Sequence, residues 1–205
     1  MVVNIIMVLF VALALFLLPT FFHLAPYLAD AVFRARGSEA LEFSVSVRRE
    51  RDTIAVVLLI PFLMIMSRYN MYNPSIIASV DEVWHLTGCA IALLSYLVIR
   101  MGLYFLLKPK RRYDYYRLAH RAIFTFFILF MLLALPTLGI MTIFDANDVV
   151  IRTVLYVLLA IAYLLFLVRR AQILSLSCDG FTTFLYLCAL EFLPTALLVV
   201  SAVVL

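Results

Sequence analysis

Six apolar runs of near-membrane length are spread along this 205-residue chain, and they constrain its fold more than any other feature. They cover roughly Val3–Phe22, Ile54–Ser67, Val83–Leu107, Ala122–Phe144, Val149–Val168 and Phe181–Leu205. A helix needs about 20 predominantly apolar residues to cross the hydrocarbon core of a bilayer. Hydrophobic residues make up 67% of the chain and charged ones 14%, against roughly 45–50% and about 25% in a soluble domain. The expectation is one all-α membrane domain over residues 1–205, a polytopic bundle of about six transmembrane helices with no room for a separate soluble domain. The second run is short, because only 14 residues separate Thr53 from Arg68. It either extends through Tyr72 or is re-entrant. Met1 to Leu18 has no Lys or Arg ahead of its apolar run, so it is expected to stay as a transmembrane helix and not to be cleaved as a signal peptide.

Basic residues set the orientation. Three loops hold thirteen of them: Arg34, Arg36, Arg48, Arg49 and Arg51; Lys108, Lys110, Arg111, Arg112, Arg117 and Arg121; Arg169 and Arg170. The other two loops hold only Arg68 and Arg152. The positive-inside rule places the three basic loops in the cytoplasm and both termini outside it. The chain then reads as three hairpins, whose outgoing helices carry Pro61, Pro136 and Pro194. The net charge of +4 is accounted for by this topology, and nucleic-acid binding is not expected. The expected partners are membrane lipids and other membrane-protein subunits.

The 23–53 loop is the longest. Leu24, Leu28, Ala31 and Ala35 fall at helical spacing, Asp30 and Arg34 are four apart, and Gly37 suits a helix stop. An interfacial amphipathic helix is expected there. In "KPKRRYDYYRLAHR", Lys108, Lys110, Arg111, Arg112, Arg117, His120 and Arg121 interleave with tyrosines, a composition suited to the headgroup interface. Docking of an anionic lipid head or an acidic partner is the functional alternative. "SVDEVWH" has capping-box spacing at Ser79 and Glu82. Its Asp81 and His85, four apart, read either as a plain interfacial helix start beside Trp84 or as a proton acceptor with its carboxylate.

No zinc-protease, phosphate-loop or nucleophile-elbow motif occurs. The three cysteines, at 89, 178 and 188, form no C-x-x-C pair. No catalytic residue, metal site or cofactor is expected. His23 and His120 sit at segment boundaries, which argues against haem ligation. What needs explaining is charge inside the membrane. Arg100 lies about 10 Å, and Glu191 about 15 Å, from the cytoplasmic end of its segment at about 1.5 Å per residue. Intramembrane charges usually face the bundle interior and find a partner. An Arg100–Glu191 contact is therefore expected, unless Arg100 snorkels and Glu191 is protonated. Cys188, Pro194 and Thr195 complete a polar node around Glu191, with Pro194 freeing the carbonyl of Leu190.

The run "FLYLCALEFLP" also carries a resemblance. Leu185, Tyr186, Leu187, Cys188, Leu190, Glu191 and Pro194 resemble the C-terminal signature of an uncharacterised family, domain of unknown function 4271, of Bacteroidota inner-membrane proteins. The resemblance implies a bacterial inner membrane and implies no activity. Three functions remain open on these residues. One is a non-catalytic subunit of an envelope complex, one a proton- or ion-linked carrier using Glu191. The third is an interfacial lipid-modifying enzyme using His120 and the basic loop.

Overall fold

The computed structural model describes residues 19–20, 22–28, 30, 44–72, 74, 82–107, 113–176 and 179–204. Most of the first apolar run, residues 31–43, Ser79, Asp81, Cys178 and the basic Lys108, Lys110, Arg111 and Arg112 lie outside them, as does the side chain of Trp84. Among the described residues every regular element is helical. Those elements are α1 (Val45–Arg68), α2 (Glu82–Leu106), α3 (Tyr113–Ile143), α4 (Asp148–Ser175), α5 (Gly180–Leu187), a π turn (Cys188–Phe192) and α6 (Leu193–Val204).

Four stretches are long and apolar enough to cross a membrane: His85–Leu106, Tyr116–Ile143, Asp148–Ser175 and the α5–π–α6 rod from Gly180 to Ala202. α1 is not among them, because it opens on the charged run Arg48, Arg49, Glu50, Arg51 and Asp52. The lipid-type surface is visible in the side chains. On α2, Ile91, Leu94, Val98, Met101 and Phe105 are exposed at spacings of three and four, and on α4 so are Val157, Ile161, Leu164 and Val168. Apolar faces this long are found on membrane or partner surfaces and not against water.

Local chemistry ends the helices. Asn70 after α1 and Asp145 after α3 adopt left-handed backbone with φ of 48° and 47°, a region that Asn and Asp tolerate best among non-glycine residues. Asn147 then caps α4, its side chain accepting from Val149 N at 3.0 Å.

The core follows the small residues. Met131, Ala134 and Leu138 of α3 pack on Ile151, Leu155 and Ala162 of α4, with Ile65 of α1 joining them. Alanines at such contacts let membrane helices approach closely. Around the bundle, α3 touches α1 and α4, α1 touches α2, α2 touches the π turn and α6, and α4 touches α5.

Two boundaries differ from the sequence reading. The charged stretch 45–53 is the first part of α1 and not loop. Residues 22–28 are helical as expected, but Leu24 and Leu28 are buried against Val47, Ile54, Ala55 and Ile128. That apolar stripe serves the protein core and not the membrane interface. Tyr113 likewise begins α3, so Arg117, His120 and Arg121 stand on a helix rather than in a loop.

Gly102 on α2 has open space where a Cβ would go. Gly102→Ala is expected to stabilise the protein by about 0.5–1 kcal/mol, the usual cost of glycine within a helix, read as a raised melting temperature in detergent.

Candidate functional site

Three charged side chains from three helical elements meet inside the bundle. Arg100 Nη2 of α2 donates to Glu191 Oε1 in the π turn at 2.7 Å. Arg170 of α4 forms an ion pair with the same oxygen through Nη1. Arg100 is 4% exposed, and Arg170 and Glu191 are 0% exposed. Arg100 precedes the end of α2 by six residues, and Arg170 precedes the end of α4 by five. Glu191 lies eleven residues beyond the start of α5. At about 1.5 Å per residue these Cα positions sit at about 9, 8 and 16 Å from their helix ends, and the length of arginine closes the difference.

The π turn positions the carboxylate. Pro194 has no N–H to give to the carbonyl of Leu190, and its ring crowds that carbonyl. The chain responds with a wider turn, in which Leu193 N bonds Cys188 O, an i→i−5 bond. Pro194 thus produces a π turn, one of the known causes of helix irregularity. The expected node divides. Glu191 faces the arginines, while Thr195 Oγ1 meets Tyr163 OH at 3.1 Å, and Tyr163 OH donates to the backbone oxygen of Glu191 at 3.4 Å. Cys188 is half-buried at the first position of the π turn.

α4 supplies the rest of the site at positions 163, 166 and 170. Phe166 is buried and serves both guanidinium groups, with Arg100 Cζ 5.8 Å and Arg170 Cζ 5.9 Å from its ring centroid. Desolvated contacts of this kind contribute about 2 kcal/mol. An aromatic cluster from α2, α3 and α5 packs beside the triad. Tyr104 and Tyr116 stack at 4.9 Å, Tyr116 OH donates to the Tyr104 carbonyl at 3.2 Å, and Tyr186 tilts against Tyr116 at 5.6 Å.

His120 stacks on Tyr104 at 3.9 Å, whereas His23 pairs with Glu50 at 3.0 Å. The two histidines considered for haem therefore serve different contacts. Arg117 and Arg121 are half-buried on α3.

Arg170, Phe166 and Tyr163 are the residues that sequence reasoning missed. By run length Arg170 belongs to a topological loop, yet α4 continues through Ser175 and buries it. The signal was present: positions 163, 166 and 170 share one helical face, and the apolar Ile173 and Leu174 lie within one turn beyond the two arginines.

The triad holds two positive charges and one negative. Among the described residues, Glu191 Oε2, Arg100 Nε and the Nε and Nη2 of Arg170 have no hydrogen-bond partner. A cleft of about 490 Å³ between α2 and α6 is lined by Gly88, Ala92, Ser95, Tyr96, Pro194 and Ser201, among others, and Glu191 is not in its lining. No group of three or more His, Cys, Asp or Glu side chains among the described residues is placed to hold a metal ion. Comparison of the chain with protein-family models, with characterised proteins and with solved structures finds no match.

Proposed function

We propose that this chain is a multi-pass protein of a bacterial inner membrane, with about six crossings and both termini outside the cytoplasm, acting as a non-catalytic subunit of an envelope complex. The observation that carries the reading is the sequestration of Glu191. Its carboxylate is fully buried and ion-paired to two arginines from two other helices, which is the arrangement of a lock between helices. The distribution of Lys and Arg supports the orientation, and the likeness of Leu185–Pro194 to domain of unknown function 4271 supports the compartment. The apolar outer faces of α2 and α4 supply surface for a partner helix as readily as for lipid.

A second reading, a proton- or ion-linked carrier, draws on one observation: Glu191 sits in a π turn, and π turns occur frequently at functional sites. Gentle solubilisation followed by native mass spectrometry tests the first reading. A subunit leaves the membrane with a stoichiometric partner, and a clean monomer under the mildest detergents counts against it. The two readings also separate on Glu191→Gln. A lock loses the fold, whereas a carrier keeps the fold and loses flux.

A further inference from the structure

A second polar cluster lies at the far end of α2 from Arg100, and the triad makes no use of it. His85 and Cys89 are four residues apart on α2, so their side chains share a face. Cys89 is completely buried and His85 is 7% exposed. Cys89 Sγ is 3.8 Å from His85 Nδ1, and Ser67 Oγ of α1 is 3.3 Å from the same nitrogen. Both S–H and O–H can donate, so in the tautomer protonated at Nε2 the Nδ1 lone pair faces the sulfur. The other ring nitrogen, Nε2, is buried with no hydrogen-bond partner. The left-handed turn at Asn70 folds the chain back over this point: Cys89 Sγ lies 3.7 Å from the Tyr72 carbonyl, Met66 belongs to the same buried cluster, and Met71 packs against it.

We infer that His85 and Cys89 form a binding site for a soft monovalent metal ion of the Cu(I) type, with Met66, a member of the same buried cluster, as the candidate third donor. Three arguments converge. Thiolate and thioether donors select soft ions, and imidazole accepts them. With bonds of about 2.3 Å to sulfur and about 2.0–2.1 Å to nitrogen, a trigonal ion holds S and N about 3.7–3.8 Å apart, the separation already present. Charge decides the valence. Binding displaces the thiol proton to solvent, leaving a thiolate, a neutral imidazole and Cu(I) with net charge zero. A divalent ion would leave a positive charge in an apolar cluster, and buried unpaired charge is costly.

The test uses full-length protein in detergent in a Cys178→Ser/Cys188→Ser background, which keeps Cys89 as its one thiol. Cu(I) is delivered from bicinchoninate and retained metal is counted after desalting. One equivalent per chain is expected. Adding Cys89→Ser should reduce retention at least tenfold, and His85→Asn should weaken affinity at least tenfold, with apo melting temperatures matched to the parent. X-ray absorption on the loaded parent gives a readout independent of how the variants fold, and sulfur plus nitrogen ligation is expected. No retention by the parent, equal retention without Cys89, a shell of nitrogen and oxygen alone, or tighter binding of Zn(II) than of Cu(I) would each overturn the inference.

Discussion

Glu191→Gln is expected to cost about 3–5 kcal/mol, the range for removing one partner from a buried ion pair. Membership of the triad makes it worse than an ordinary broken pair. The wild-type site holds two guanidinium groups around one carboxylate, all three essentially excluded from solvent. Glutamine leaves both positive charges with only a neutral amide oxygen between them. Total stabilities of about 5–15 kcal/mol leave little margin for such a loss, so the folded yield in detergent should collapse.

The companion variants fix the cause. Arg100→Met or Arg170→Met leaves one balanced pair, and each should cost clearly less than Glu191→Gln. Replacing all three, as Arg100→Met/Arg170→Met/Glu191→Leu, should recover much of the lost stability, because apolar residues of similar volume substitute well for buried ion networks. Thermal unfolding followed by circular dichroism ranks the series. Equal losses for Glu191→Gln and Arg170→Met would remove the charge-balance argument.

Phe166→Ala is the second large effect, at about 3–5 kcal/mol, the usual cost of deleting a buried phenylalanine. The ring packs with Ala122 and Phe126 of α3 while lying beneath both arginines. Its loss opens a cavity between α3 and α4 and removes the aromatic face from two cations at once. Phe166→Leu refills much of the volume without restoring the face. It should recover part of the stability, and the residual deficit measures the cation–π share. Unfolding midpoints of the three proteins in one detergent provide the comparison.

The sequence made some of this legible. Depth arithmetic on Arg100 and Glu191 leads to their contact, because a charge in hydrocarbon must find a partner and these two lie within an arginine's length of one depth. Arg170 escaped the same logic because Arg169–Arg170 stands at the end of an apolar run, where basic residues ordinarily mark topology. Nothing in a run-length criterion shows that a helix continues another turn inside the protein. α1 failed for the opposite reason: its charged opening, Arg48 to Asp52, looks like loop, yet Arg51 is buried on it with Asp52 as hydrogen-bond partner and Phe124 beneath it. The Leu24–Leu28 stripe was readable as a helical face. What it packs on was not, because periodicity reports a buried face without saying whether lipid or protein covers it. Pro194 announced a disturbance of the last helix, and the sequence does not say whether the chain meets it with a kink or, as observed, with a π turn.

The triad also has a consequence for how the chain is made. Arg100 precedes Glu191 by 91 residues. Translation at about 5–20 residues per second separates the two by roughly 5–20 s. Throughout that interval α2 lies in or near the bilayer with an uncompensated arginine, and Arg170 joins it late in the interval, at an insertion cost of about 2.5–3.5 kcal/mol each. The counter-charge arrives only with the last helix. Newly made chains are therefore held loosely until their final span enters and draws α2 and α4 together. A chain cut short between residues 170 and 191 carries two uncompensated intramembrane cations, the kind of signal by which membrane quality control tells an unfinished protein from a finished one.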